Sequence, residues 1–389
     1  MLEINTQNRL LENDCYTEAE ILGQPELWLK LWDNYQSVKL ELHNYLYSFL
    51  NDANIRIILT GAGTSAFIGD VLLGLFSKSF QNPISAAATT DLITHPELYF
   101  SKSNKYLLIS FARSGNSPES SQVIVLAEEL SKQVHHLIIT CNPESELTRT
   151  VSDKHHFTFL MPPEADDKGL AMTGSFTTML LAGLLITRIN KFEDLDEQFN
   201  ILYKYGNRIL KEYVDAIKKV AALDFKRAVF LGSGMLKGIA RESQLKLQEL
   251  TDGKIICKYD SFMGFRHGPK AVVDENTLIV YLFSNDNYVN QYEVDLVNAN
   301  VSGRKNLFTI GVMEQEIKVP GMDLQIILSD NGKNIQEDFM SVVSVLPAQL
   351  LGFYKSLNLG LNPDSPSKSG MIHRVVQGVK VYQYNNGKE

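Results

Sequence analysis

RIILTGAGTSAFIGD, residues 56–70, reads as strand, glycine turn and helix start: the apolar run Ile57–Leu59 gives way to Gly61, Gly63, Thr64 and Ser65, and a helix-like stretch follows. A continuous apolar run is the mark of a strand buried on both faces of a parallel sheet. The same grammar returns in RAVFLGSGMLKGIAR, residues 227–241, displaced by 171 residues. After each copy comes another apolar strand, Tyr106–Phe111 in the first half and Thr277–Phe283 in the second. Strands alternating with helical stretches predict an α/β chain of two tandem, doubly wound parallel-sheet domains. Two related halves fit this pattern better than one large sheet.

Length and composition agree. The chain has 389 residues, enough for about two domains. Its 44% hydrophobic and 21% charged residues are those of a globular enzyme, and a net charge of −8 argues against a nucleic-acid surface. Cys15, Cys141 and Cys257 are scattered, without metal spacing, and read as buried thiols in a reducing compartment. The start, MLEINTQNRLLEND, has no basic-then-apolar signal pattern, so the expected location is the cytoplasm. Between Lys168 and Arg188 no charge occurs, but Thr173, Ser175, Thr177 and Thr178 dilute the apolarity. That stretch predicts a helix buried between domains or subunits, not a membrane span. Residues 1–50 predict a helical arm, 51–205 a first domain and 206–389 a second, with the boundary in the polar helical stretch Asp194–Ala222.

The first half carries an anion pocket. In YLLISFARSGNSPES, residues 106–120, a strand ends in Ser114, Gly115, Asn116 and Ser117, and Pro118 and Glu119 open a helix with Ser117 as a possible N-cap. Backbone N–H groups and the helix dipole at such a turn favour an anion. Neutral donors with one charge, Arg113, suit a small phosphorylated metabolite. Taken alone, the segment reads equally as an ordinary capped turn. Gly61-x-Gly63 lacks the third glycine of a dinucleotide fingerprint and the acidic residue beyond it, so a nucleotide is not expected. In the second copy Met235 and Leu236 replace Thr64 and Ser65, and the later strand runs into the acidic FSNDNY, so the anion pocket belongs to the first half.

The second half offers ARESQLKLQELTDG, residues 240–253, where Glu242, Lys246 and Glu249 share a helix face. By itself that spacing is most simply a solvated Glu–Lys pair. FRHGPKAV, residues 265–272, sets His267 in a Gly-Pro turn, while His135-His136 and His155-His156 read as surface or strand-end residues. No metal-ligand spacing occurs, and neither metal nor cofactor is implied.

Together these segments resemble the sugar isomerase (SIS) domain proteins, and among them the double-SIS enzymes that include the isomerase half of glucosamine-6-phosphate synthase. The matching pieces are GAGTS (61–65), RSGNS (113–117), GSFTT (174–178), ESQLKLQEL (242–250), RHGP (266–269) and PDSPSKSG (363–370), spread over residues 40–380. The resemblance implies a flavodoxin-like fold and a sugar-phosphate pocket made by Gly63, Thr64, Ser65, Arg113, Ser114, Asn116, Ser117, Thr173 and Ser175. Ser114 and Ser117 take the place of the principal phosphate ligands. Asn116 stands where the synthase has an acidic residue and Arg113 where it has Gln. Glu249 matches the carboxylate that moves a proton between C1 and C2, and His267 the imidazole that opens the ring from a neighbouring subunit, so a homodimer or larger homo-oligomer is implied. Lys368 stands at the place of the Schiff-base lysine, and Lys246 matches a helix position beside the carboxylate.

The chemistry suits these types. Aldose–ketose interconversion needs one base that takes a proton at C2 and returns it at C1. Ring opening suits a group titrating near neutrality. The chain has no glutaminase segment to supply ammonia, so the amino-sugar reaction is expected in reverse. Its C-terminal PDSPSKSGMIHRVVQGV resembles the AgaS group, associated with deamination of galactosamine 6-phosphate to tagatose 6-phosphate. The alternatives are a plain hexose-6-phosphate aldose–ketose isomerase and a non-catalytic sugar-phosphate sensor.

Overall fold

The computed structural model describes residues 15–151, 156–191, 194–301, 305–330, 332–376 and 378–384. The arm holds α1 (Tyr16–Leu22) and α2 (Gln24–Leu50). The first unit runs β1 (Ile55–Gly61), α3 (Thr64–Ser79), β2 (Ile84–Ala88), α4 (Thr89–Thr94), β3 (Lys105–Ala112), α5 (Pro118–Leu130), β4 (Gln133–Thr140), α6 (Glu146–Thr150), β5 (His156–Leu160) and α7 (Gly174–Ile186). Helices α8 (Asp196–Arg208) and α9 (Val214–Ala221), joined by a π turn, fill the stretch expected to separate the halves. The second unit runs β6 (Arg227–Gly232), α10 (Met235–Leu250), β7 (Ile256–Asp260), α11 (Phe262–Phe265), β8 (Thr277–Leu282), α12 (Asn287–Val301), β9 (Phe308–Met313), β10 (Leu324–Ile327), α13 (Glu337–Val343) and α14 (Leu346–Asn358).

Among the described residues the strands form two five-stranded sheets, ordered β2-β1-β3-β4-β5 and β10-β9-β8-β6-β7. Read from β7, the second order repeats the first, and every strand pair is parallel. This is the doubly wound α/β order 2-1-3-4-5. The register repeats as well: Thr60 pairs with Ser110, and Leu231 pairs with Tyr281.

The Gly-x-Gly turns show why the repeat survives in these letters. Gly63 has φ 55° and ψ −127°, and Gly234 has φ 53° and ψ −123°, a region closed to side chains other than glycine. A Cβ at Gly61 would lie 2.6 Å from the Ser65 carbonyl carbon, and one at Gly232 2.2 Å from the Leu236 oxygen. Each strand therefore turns tightly into its helix only with glycine at both positions.

The two units meet through α3 and α10. A Cβ on Gly238 would come within 2.5 Å of the Val71 side chain, and Arg241 pairs with Asp70 at 2.5 Å. The arm packs on this core: Trp28 of α2 is fully buried and its Nε1 donates to Thr177 Oγ1 at 3.0 Å. All of α7 is buried, between α2 and α3 on one side and α13 on the other, which accounts for its lack of charge. Burial within one chain suffices for it. Among the described residues no helix is long and apolar enough to cross a membrane.

Two placements differ from expectation. His136 is fully buried inside β4, and His135 of the same strand stacks on Phe49 at 4.1 Å, because the strand extends back to Gln133. Cys141 is buried, but Cys15 and Cys257 are only half-buried. His156 opens β5, while His155 and residues 1–14 lie outside the described residues.

Gly234→Ala should cost ~1–3 kcal/mol of stability through backbone strain alone, since no atom lies within 4 Å of the new Cβ. Urea unfolding checks this; an unchanged midpoint would mean that the turn relaxes.

Candidate active site

Because β1 and β3 pair in parallel, the loops that follow them leave the sheet at one edge. The β3–α5 loop, Arg113–Ser117, is held from outside. Asn142 Nδ2 donates to the Ser114 carbonyl at 2.9 Å, and Asn116 Oδ1 accepts from the Glu146 N–H at 3.0 Å. Gly115, at φ 60°, passes so near Ser145 that a Cβ would lie 2.5 Å from its Cβ. Ser117 occupies the N-cap position of α5 but makes no side-chain cap; its Oγ lies 2.7 Å from Ser120 Oγ. Of the residues that open α5, Pro118 has no N–H and the Ser120 N–H donates to the Ser117 carbonyl at 3.0 Å, which leaves the Glu119 N–H to another acceptor. Ser114 and Ser117 are half-buried and Asn116 is exposed at this edge.

Three other expected contacts are committed elsewhere. Thr173 and Ser175 are fully buried, and their hydroxyls donate to Asp167 at 3.1 and 2.5 Å. The same carboxylate accepts the N–H groups of Thr173, Gly174 and Ser175, so Asp167 caps α7. Arg113 is buried. Its Nη1 donates to the carbonyls of Gly169 and Leu170, and its Nη2 to that of Arg374.

The β1–α3 loop leads to the second unit. Gly63 sets the turn, Ser65 is buried with its Oγ 3.8 Å from Met172 Sδ, and Thr64 reaches α10. Lys246 Nζ lies 3.1 Å from Thr64 Oγ1, 2.6 Å from Glu249 Oε2 and 3.3 Å from Glu242 Oε1. Thr64 Oγ1 in turn donates to Glu242 at 3.4 Å. Glu242 and Lys246 are fully buried, while Glu249 keeps 24% of its side chain exposed. The solvated pair that the spacing suggested is therefore a buried triad, because α10 turns this face toward α3.

Its charges are unequal. Burial pushes the Glu242 carboxyl up to about 8, against the pull of Lys246. Burial alone would lower the Lys246 ammonium, but Glu242 and Glu249 more than offset this and hold it charged. Lys246 thus bridges the buried Glu242 to Glu249, whose carboxylate is the member of the triad that reaches solvent.

His267 and Lys368 stand apart. His267 is exposed in the turn after α11, and Lys368 is exposed in a turn of the C-terminal segment. Neither side chain enters the triad within this chain. The corresponding end of the second sheet opens on a cavity of about 740 Å³ lined by Glu314, Glu316, Asp295 and amides such as Asn285 and Asn290, without a cationic side chain. Among the described residues no group of His, Cys, Asp and Glu is placed to hold a metal ion.

A model of the SIS domain family matches residues 49–188, the first sheet and its helices. The chain is 38% identical over 375 residues to the D-galactosamine-6-phosphate deaminase AgaS of Escherichia coli, covering 95% of this chain and 96% of that one. With the enzyme of the same name from a Shewanella species it shares 37% over 373 residues, covering 95% and 92%. The chain belongs to the SIS-domain family, in its AgaS group. The crystal structure of tagatose-6-phosphate ketose/aldose isomerase from Escherichia coli superposes with a TM-score of 0.86 at 37% identity, over 95% of this chain and 97% of that one. The family model stops short of β6, but the repeated strand order marks a second SIS unit.

Sequence reasoning placed Glu242 only on a solvated helix face, not in the site, and left out Asp167. Glu242 had a signal: with Lys246 it lies on the helical face of Ile239, Ala240, Ser243 and Leu250, so the buried stripe of α10 runs through two charges. Asp167 had none, since its role depends on a long loop folding back on α7.

Glu242→Gln should flatten the pH dependence of stability. Between its ordinary 4.5 and about 8 the folded protein keeps a proton that the unfolded chain has released. Stability is therefore lost as pH rises through that window. Melting curves from pH 5 to 9 should fall more steeply for the wild type than for the variant; parallel curves would rule out the shift.

Proposed function

We propose that this protein is an amino-sugar phosphate deaminase/isomerase that converts galactosamine 6-phosphate and water to tagatose 6-phosphate and ammonia. The observation that carries this is the Thr64–Lys246–Glu249 contact, which sets a carboxylate from the second unit beside the anion-binding loop of the first. The substrate follows from the names of relatives that match almost the whole chain.

The phosphate sits at the N-terminus of α5, by the Glu119 N–H, with Ser114, Asn116 and Ser117 around it, and acts as a handle that orients distant carbons. Gly63, Thr64 and Ser65 line the sugar side. His267, from a second copy of the chain, moves the ring-oxygen and O1 protons so that the pyranose opens to the C1 aldehyde. Glu249 then takes the proton from C2, giving an enolamine, and returns it at C1, giving a C2 imine. Water adds to that imine; the C2–N bond breaks and ammonia leaves the ketose. Lys246 holds and aims Glu249 through their 2.6 Å contact, and Lys368 is the amine the C-terminal segment offers to the carbonyl carbon. A plain isomerase would use the same Glu249 and His267; the relatives' common name favours deamination.

Glu249→Gln should lower ammonia release from galactosamine 6-phosphate by about a thousandfold while leaving phosphate binding intact. A coupled ammonia assay, with glucosamine 6-phosphate alongside and the ketose followed as co-product, checks this. Full activity in the variant would refute the mechanism; turnover of tagatose 6-phosphate without ammonia would establish the isomerase instead.

The shared site has its own test. Glu249→Gln and His267→Ala are each expected to be inactive, and mixing them after dissociation should restore up to about a quarter of wild-type activity through hybrid dimers. No recovery, with exchange demonstrated, would place His267 in its own subunit's site.

A further inference from the structure

The chain beyond α14 leaves the second unit and crosses to the first, where it is fixed at two points. At the first, the Asp364 carboxylate accepts from the backbone N–H groups of Tyr16 and Thr17 and from Thr17 Oγ1 at 2.7 Å, and its carbonyl accepts from Leu170 N–H at 3.0 Å. At the second, Arg374 donates through Nε to the Asp167 carbonyl at 2.8 Å and through Nη2 to Asp166 at 2.6 Å. The Arg374 carbonyl is held by Arg113 Nη2 at 2.7 Å. Residues 365–373, which include Lys368, span these anchors.

Arg113 is thus the direct covalent neighbour of the phosphate loop and the holder of the strap. Its fork points at three backbone carbonyls, those of Gly169, Leu170 and Arg374, and an arginine that clasped a phosphate would point its paired donors at the anion. We propose that Arg113 is a positioning residue that ties the C-terminal strap, and with it Lys368, to the loop beginning at Ser114, and that it is not a phosphate ligand. The proposal rests on the sugar-phosphate reading of that loop. It assigns the arginine, which stands where the synthase has Gln, a task that the neutral side chain performs poorly. Three carbonyls need a donor fork, and the exposed strap needs its two ends set before the sugar arrives.

The experiment compares Arg113→Gln, Arg113→Lys and a chain ending at Gly370 with the wild type, by three readouts. In Arg113→Gln, kcat for ammonia release should fall by about a hundredfold, as for a displaced catalytic group. Inorganic phosphate should bind within about twofold of wild type, where loss of a charged ligand would weaken it by about tenfold or more. Trypsin should cut after Arg374 in the folded variant and spare that bond in the wild type. Lysine keeps the charge but loses the fork, so Arg113→Lys should share the kcat and trypsin phenotypes. In the shortened chain kcat should be as low, and adding Arg113→Gln should change it little further. A tenfold loss of phosphate binding with unaltered trypsin cleavage would overturn the proposal, as would rescue by lysine. If Arg113→Gln does not fold, a shortened chain with full kcat overturns it alone. Phosphate binding and proteolysis need no turnover, so an inactive wild type would refute the deaminase and leave this test standing.

Discussion

A lysine ammonium buried at the seam between two α/β units needs more than one partner. Removing an ammonium from water costs several kcal/mol, and attraction to a single carboxylate repays this only where geometry and further hydrogen bonds are good. Lys246 has two carboxylates from its own helix and the Thr64 hydroxyl from the other unit. The last of these makes the arrangement a property of the whole fold. Thr64 is where it is because Gly61 and Gly63 turn β1 into α3, and α10 lies close enough because Gly238 lets it approach Val71. The carboxylate proposed to react is therefore aimed by the packing of the units, and the loop proposed to cradle the anion is built on the strand next to that turn.

The repeat explains both the scaffold and the division of labour. Backbone features recur at a spacing of 171 residues with their dihedral angles and strand register intact, while the side chains diverge at the pocket. Thr64 and Ser65 face Met235 and Leu236 in the other copy, and the serine-rich end of β3 answers to the carboxylates and amides beyond β8 and β9. A phosphate placed in the second cavity would meet like charge with no compensating cation; the first offers helix N–H groups and hydroxyls. In the proposed mechanism one copy keeps the anion, and the other supplies the base through α10.

This division sets what could be read from the sequence. The two-unit plan was legible because glycine at a positive φ and buried parallel strands leave local signatures, whereas the flavodoxin-like fold came only with the family resemblance. The uncharged run that became α7 was legible for the same reason. The charged face of α10 was visible as a spacing, but its burial was not, since a Glu-Lys-Glu run at i, i+4, i+7 looks alike in water and against α3. Thr173 and Ser175 show the opposite limit. Their GSFTT motif is plain in the sequence, yet in the folded chain their hydroxyls satisfy Asp167, whose position depends on a loop no local rule reaches.

That loop, residues 166–170, is where the remaining order comes from. Glu20 of the arm accepts from the N–H groups of Lys168 and Gly169, the strap binds Leu170 and Asp167, and Arg113 takes the carbonyls on the other side. Burial with Asp167 nearby pushes the Glu20 carboxyl up to about 7, so this clasp contains a proton that can leave near neutrality. Each hydrogen bond alone is worth about 1 kcal/mol. Their joint effect is different in kind: the arm and the C-terminal strap come from opposite ends of the sequence and meet on a loop from its middle. These polar contacts lie over the apolar core that holds α2 through Trp28, and contacts of this kind open locally at less cost than the core does, so this rim is the part of the molecule best suited to respond to what the pocket holds.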